Sequence, residues 1–261
     1  FPTRRSSDLY IADFALSRFA EALGKKKDAE LFYKRSLGYK HYYSKEFGTF
    51  RPILPDGTFY SPFNPRQGEN FEPNPGFHEG SSWNYTFYVP HDVYGLAKLM
   101  GGKKSFIDKL QMVFDEGLYD PANEPDIAYP YLFSYFKGEE WRTQKETQRL
   151  LDKYFTTNPD GIPGNDDTGT MSSWAIFNMI GFYPDCPGLP EYTLTTPVFD
   201  KVTIRLDPKW YKEKELVIES NRAQPGTLYI NKVLLNGKKF NKYRITHDEL
   251  VHGQHIYFDL K

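Results

Sequence analysis

The chain is 261 residues long and holds a single cysteine, Cys186. An internal disulfide is therefore excluded, and no Cys/His cluster with zinc-ligand spacing exists. No run of ~18 apolar residues is present, so nothing in the sequence spans a membrane as a helix. Excess charge is missing as well. The formal net charge is −1, which removes the electrostatic footprint of a nucleic-acid binder. Neither a GxxxxGK phosphate loop nor a GxSxG nucleophile elbow occurs. There is no internal repeat and no low-complexity tract. No signal peptide is visible.

Aromatic residues are abundant: 20 Tyr, 21 Phe and 4 Trp. Such residues line sugar sites and also simply fill cores, and composition leaves both open. Residues 1–9 fit no helix or strand pattern and look like a translated sequencing adapter, an expected scar at the head of a longer protein. From Tyr10 to Leu23 a helix is predicted, with Ile11, Phe14, Ala15 and Phe19 on one face. Lys27 to Phe47 reads as a second helix, antiparallel to the first across a short turn. Gly48 to Gly80 is a long loop rich in Pro, Asn, Gly and Phe. Helices are then expected at Ser81–Met100 with a break at Pro90, Lys103–Phe114, Ile127–Phe136, Glu139–Tyr154 and Met171–Ile180. Short and long loops alternate, which suits a toroid of helical hairpins with the long loops on one face. After Pro187 the pattern turns to period two. Lys201–Leu206, Glu215–Glu219, Leu228–Leu235 and Gln254–Leu260 read as strands, and Asn236-Gly237 is a hairpin turn signal. The expected division is 10–197 for the helical domain and 198–261 for a small β unit.

Four polar stretches carry chemistry. Gly161-Ile-Pro-Gly-Asn-Asp-Asp-Thr-Gly-Thr170 runs into the Met171 helix, which is apolar nearly all round and so expected to be buried on most faces. Asp166 and Asp167 are thus delivered by a rigid support, as catalysis requires, although an Asp before a helix is also an ordinary cap. Phe77-His-Glu-Gly-Ser-Ser-Trp-Asn-Tyr-Thr86 places Glu79 at a helix mouth near Trp83 and Tyr85. A carboxyl among aromatics is poorly solvated, which favours its protonated form and suits a general acid. Capping or a favourable dipole contact is the plainer alternative. His91 and Asp92 could orient a substrate hydroxyl or form a satisfied buried pair at the Pro90 kink. Ala122-Asn-Glu-Pro-Asp126 offers oxygen donors only, which suit Ca²⁺, while Asn followed by Pro is also a common helix start.

Read together, these stretches resemble glycoside hydrolase family 92, the calcium-dependent exo-acting α-mannosidases. The matching text is His78-Glu-Gly-Ser-Ser-Trp-Asn-Tyr, Val89-Pro-His-Asp-Val-Tyr-Gly-Leu, Asn123-Glu-Pro, Gly161 to Trp174, and Gly181-Phe-Tyr-Pro-Asp-Cys-Pro-Gly. The resemblance implies a mainly α fold, here a partial (α/α)6 toroid with the small C-terminal β unit, preceded in the family by an N-terminal β-sandwich. It implies an inverting mechanism on mannose-containing oligosaccharides or glycoprotein glycans, acting in the periplasm or outside the cell. By motif position Glu79 is similar to the general acid and Asp167 to the base that activates water, with Asp166 in support. Ala122, Asn123 and Glu124 resemble the Ca²⁺ ligands. Trp83, Asn84, His91, Asp92 and Asn165 are expected at the sugar. Some members carry an acidic residue where this chain has Asn165, and Gln is more usual where it has Asn84. Two other readings stay open: a carbohydrate-binding remnant without turnover, and another glycosidase on a helical toroid. The chain alone is expected to be inactive or nearly so.

Overall fold

The computed structural model describes residues 3–68, 76–224 and 226–261. The middle of the predicted long loop, 69–75, lies outside the described residues, as do the first two positions of the adapter-like segment. The described chain divides into two compact units. One comprises residues 1–129 with 186–189, the other 130–185 with 190–261.

The first unit begins with a helical hairpin. Helix α1 runs Thr3–Ala22 and α2 runs Lys26–Ser36. The helix thus starts seven residues before the expected Tyr10, inside the stretch that shows no periodicity. Gly24 turns the chain at φ +70°, where a side chain would be strained. Across the hairpin Ser17 Oγ donates to the Ala29 carbonyl at 2.9 Å, and Arg35 Nε to Asp13 Oδ2 at 3.0 Å. Ile11, Phe14 and Ala20 are buried, but Phe19 is 62% exposed, against the expected face. Leu16, Leu23, Leu31 and Tyr33 are exposed as well, so the hairpin presents apolar side chains to solvent.

The second helix is shorter than the periodicity predicts. The ring of Tyr10 lies against Gly38, where a Cβ would come within 2.5 Å of it. The chain tightens there into a 3-10 segment, Leu37–Tyr42, and then pairs Tyr43–Ser44 (β1) with Thr49–Phe50 (β2). Three further helices follow: α3 Ser82–Thr86, α4 Val93–Leu99 and α5 Lys103–Asp115. Phe87, Phe106 and Tyr129 are fully buried, and Phe87 meets the other two edge to face at 5.2 and 5.5 Å, a favoured aromatic geometry. Glu124–Tyr135 is 3-10 rather than α-helical, because Pro130 within it has no N–H to continue an α ladder.

The second unit contains α6, Glu140–Tyr154, and α7, Thr170–Ile180. Met171, Trp174, Ala175 and Asn178 of α7 are buried, whereas Ile176 is 59% exposed. The expected all-round burial is therefore corrected to burial of one face. Trp174 stacks on Phe155 at 5.3 Å, and Asn178 Nδ2 donates to the Tyr131 hydroxyl at 2.7 Å. Strands Phe182–Tyr183 (β3), Glu191–Leu194 (β4) and Arg244–Thr246 (β9) form one small sheet in the order β3-β4-β9. Lys201–Arg205 (β5), Glu215–Arg222 (β6), Ile230–Leu235 (β7), Lys238–Phe240 (β8) and His255–Leu260 (β10) form a second, in the order β5-β6-β10-β7-β8. The β6–β10 pair is parallel and the rest antiparallel. β5, β6, β7 and β10 fall where the alternation places them, while β3, β4, β8 and β9 are additional short strands. Asn236 and Gly237 both take positive φ, 49° and 74°, as the tight turn between β7 and β8 requires. A short helix, α8 (His247–Gly253), with Thr246 and Glu249 as a capping box, leads into β10. Leu216, Ile218, Val233, Ile256 and Phe258 form the sheet's apolar core with Phe182 and Leu250.

Within this unit Asp185 is a hub. Its side chain accepts from Tyr135 Oη (2.8 Å), Thr193 Oγ1 (2.7 Å) and Arg244 Nη1 (3.1 Å). Arg244 also lies 4.1 Å above the Tyr135 ring centroid. Burial works against the guanidinium charge, but the Asp185 carboxylate outweighs it and holds the Arg244 pKa above its ordinary value. Tyr183 stacks face to face on Tyr131 at 4.5 Å and 3°. The Gly181-Phe-Tyr-Pro-Asp run is thus a structural clasp.

Candidate functional site

Glu79 belongs to the first unit. It precedes α3 by three residues and sits at φ 58°, a left-handed conformation that costs a non-glycine residue about 1–2 kcal/mol. It is not the cap of α3. Ser81 fills that place, its Oγ accepting from Trp83 N, with Asn84 Oδ1 returning to Ser81 N at 2.8 Å. The Glu79 side chain is about half exposed, at 49%, with His78 Nε2 3.3 Å away. The expected burial among aromatics is therefore corrected: Trp83 is buried, but the carboxyl beside it meets solvent.

The backbone around Glu79 is braced from three directions. The Tyr85 hydroxyl donates to the His78 carbonyl. Asn123 Nδ2 donates to the Glu79 carbonyl at 2.8 Å. Gly80 lets that amide approach, since a Cβ there would lie 2.9 Å from Asn123 Nδ2 and 3.0 Å from Asn84 Oδ1. Asn84 has its amide fully engaged by protein. Its Nδ2 donates to the Leu118 carbonyl at 3.0 Å and to Asp126 Oδ2 at 2.7 Å. It braces the site rather than offering a free amide to a sugar. Sequence reasoning missed Tyr85 and Asp126 as braces, and only the proximity of Tyr85 to the acid motif hinted at the first.

Ala122, Asn123 and Glu124 occupy one turn at the start of the 3-10 segment. Ala122 N donates to Asp120 Oδ1 at 2.9 Å and Asn123 N to the Asp120 carbonyl at 3.2 Å. Asp126 is fully buried; its Oδ2 also accepts from Asp120 N, while Oδ1 has no partner among the described residues. Burial pushes this carboxyl well above the usual carboxylate range, against the pull of the Asp120 N–H and the Asn84 amide. Among the described residues no three His, Cys, Asp or Glu side chains converge as a metal cluster. A cation at this turn would rely on the Glu124 carboxylate with amide and carbonyl oxygens.

His91 and Asp92 form a packed pair beside the hairpin. His91 Nε2 meets the Ser36 carbonyl at 3.0 Å, its ring lies 5.5 Å from Phe14 and 5.9 Å from Tyr39, and its Nδ1 is buried without a partner among the described residues. Burial pushes the imidazole pKa down, against the pull of the Ser36 carbonyl. Asp92 caps α4 through Oδ1 to Gly95 N at 3.0 Å, and its Oδ2 accepts from the Tyr39 hydroxyl at 2.8 Å. Asp92 spends both oxygens on protein, whereas His91 keeps Nδ1 unpaired among the described residues, so the pair is packed and partly buried but not fully satisfied.

The second unit carries the two aspartates, and it divides their work. The N-cap position of α7 is Gly169, which has no side chain to offer, and Asp166 reaches the first turn from outside the helix. Its Oδ1 accepts from Ser172 N at 2.8 Å and its carbonyl from Met171 N at 3.2 Å. Asp167, Thr168 and Gly169 follow in succession at φ 47°, 61° and 91°. Left-handed residues normally occur singly, so this run holds backbone strain of the kind that clusters at functional sites. Thr170 Oγ1 donates to the Asp167 carbonyl at 2.7 Å and fixes the turn. The exposed Asp167 carboxylate has no hydrogen bond or ion pair among the described residues. Asn165 is exposed beside it.

The comparison that decides the family spans the chain. Residues 3–261 match the glycosyl hydrolase family 92 catalytic domain. The chain belongs to glycosyl hydrolase family 92. An inverting mannosidase of the family from Bacteroides thetaiotaomicron superposes with a TM-score of 0.87 at 31% identity, covering 99% of this chain and 37% of that one. A family 92 α-mannosidase from the same organism, solved with mannoimidazole, gives 0.86 at 29% identity over 96% of this chain and 34% of that one. A protein of Arthroderma benhamiae described as an uncharacterized secreted glycosidase is 30% identical over 176 residues, 67% of this chain and 22% of that protein. The chain thus spans about a third or less of the length of these relatives. Among the described residues no helix is long and apolar enough to cross a membrane.

Proposed function

We propose that this chain carries the acid, the base and the cation turn of an inverting exo-α-mannosidase that removes terminal mannose from glycans outside the cytoplasm. The observation that carries the reading is that Glu79 and Asp167 are surplus to capping. Ser81 caps α3 and Asp166 bonds the first turn of α7 through Ser172 N, while Glu79 and Asp167 each stand in a strained left-handed loop. A protein that only needed caps would have no use for that strain. Support comes also from the inverting mannosidase among its relatives and from the relative described as secreted.

In this reading Glu79 protonates the leaving glycosidic oxygen, and Asp167 takes a proton from a water attacking the opposite face of the sugar. Both carboxyls meet solvent, so each can exchange protons with the medium between turnovers. Asp166, locked to α7, holds the base loop, and Asn84, Asn123 and Tyr85 hold the acid loop. The donor set of the turn fits Ca²⁺: the Ala122 carbonyl, the Glu124 carboxylate and Asn123 Oδ1, whose partner nitrogen is already committed to Glu79. The fit is chemical, since these are hard oxygen donors. When bound, the ion would supply charge stabilisation and orientation for sugar hydroxyls. The helical hairpins would form part of an (α/α)6 toroid, and the chain by itself would turn over little or no substrate.

An inverting reaction releases the sugar with its anomeric configuration reversed, whereas a retaining one preserves it. Proton NMR of the product formed in the first minutes from an α-mannoside tests this. The β-anomer of mannose is expected first, and initial release of the α-anomer would refute the mechanism.

A further inference from the structure

The second unit holds a cleft that the catalytic reading does not use. It encloses about 410 Å³ and is lined by Glu140, Trp141 and Gln144 of α6 together with Tyr229, Tyr243 and Lys261. None of these belongs to the acid loop, the base loop or the cation turn. The volume lies in the range of small-molecule sites.

Its lining is specific in kind. Trp141 is 40% exposed and meets Tyr229 edge to face at 6.5 Å. Arg142 lies 4.5 Å over the Trp141 ring and so steadies it. Gln144 is 98% buried by the 2% exposure of its surface, and its Oε1 is held by Ile230 N at 3.0 Å. That bond leaves Nε2 as the group without a protein partner among the described residues, and it is not sealed off from the cleft. An amide fastened at its oxygen with its nitrogen open to the cleft is an oriented donor. Burial, and then the Glu140 charge, raise the Tyr243 pKa, so its hydroxyl stays protonated and able to donate. Glu140 Oε2 accepts from Gly138 N at 2.7 Å, which fixes the carboxylate as an acceptor.

We propose that this cleft is a second saccharide-binding site, in which a neutral sugar ring lies on the Trp141–Tyr229 aromatic pair and its hydroxyls meet Gln144, Tyr243 and Glu140. The charges favour a neutral ligand. The lining holds residues of both signs, Glu140 and Lys261, so the cleft carries no single charge to select an ion. Aromatic rings with a few directed polar groups suit a polyhydroxylated ring that is apolar on one face. The proposal stands independently of the assignment of Glu79 and Asp167.

The test is retardation of the full-length protein in native gels containing mannan, with dextran and xylan as comparison polymers. It is run in an Asp167→Asn background so that mannan is not consumed. Trp141→Ala is expected to weaken retardation by one of these polymers about three- to tenfold, the value of one aromatic contact. Tyr243→Phe, which removes only a hydroxyl, should weaken it by a smaller factor and serves if Trp141→Ala folds poorly. With Asp167 intact, Trp141→Ala should leave turnover of a small aryl mannoside unchanged. Retardation equal in parent and both variants, or absent with all three polymers, would overturn the proposal. So would a parallel loss of small-substrate turnover, which would make the cleft part of the active site. Because binding is read without turnover, a failure here is distinct from a failure of the catalytic reading.

Discussion

Adjacent aspartates with opposite duties make a sharp test. Asp166 holds the N-terminus of α7 through Ser172 N, and the Asp167 carboxylate makes no such bond among the described residues. Asp166→Ala leaves the Ser172 N–H of the first turn without its acceptor, a loss of the same kind as a lost cap, which costs about 0.5–2 kcal/mol. For a domain of this size each kcal/mol moves the melting temperature by roughly 2–4 °C. Asp167→Asn removes only a charge from an exposed side chain, so stability should stay within about 0.5 kcal/mol. Asparagine also tolerates the left-handed φ of 47° at this position, so the loop strain is not altered. Loss of a general base should nevertheless lower kcat by about 10²–10⁴-fold. Differential scanning fluorimetry and steady-state turnover on the same full-length preparations read both quantities. The reasoning fails if Asp167→Asn melts as early as Asp166→Ala while keeping its turnover. It fails equally if Asp166→Ala loses turnover with no change in melting.

Asn84→Ala should leave Ser81 N and the Leu118 carbonyl without their partner and take from Asp126 Oδ2 one of its two hydrogen bonds; each orphaned group costs about 1–3 kcal/mol, so the urea midpoint should fall and kcat/KM with it, and an unchanged midpoint would remove Asn84 as a brace. His91 is partly buried, and desolvation holds its pKa below the ordinary 6.5, so the unfolded chain takes up the proton first as pH falls. Stability is then full above about 6.5 and declines below it, a slope that His91→Phe should flatten; equal slopes in urea titrations of both proteins would contradict this. Exhaustive chelation should lower mannosidase turnover and added Ca²⁺ restore it, and rates indifferent to chelation would take the cation out of the mechanism.

What the sequence determined by itself was local. Period-two alternation placed β5, β6, β7 and β10, and Asn236-Gly237 announced its turn because few residues accept two positive φ values in succession. The motifs around Glu79, Asn123 and Asp167 identified the family because they are short, ordered and chemically specific. Tertiary structure decided what each polar atom does. Glu79 is braced by an amide 44 residues away, Asn84 by a carboxylate 42 residues away, and Asp92 by a tyrosine 53 residues away. A hydrogen bond is worth little until both partners are brought together in a site from which water is excluded, and no local pattern specifies which distant group arrives. The same reason explains α2. Its periodicity continues past Ser36, but the Tyr10 ring against Gly38 ends the helix. It also explains which of two neighbouring aspartates bonds the first turn of α7 and which stays exposed: both have the side chain for either place, and only the path of the backbone separates them.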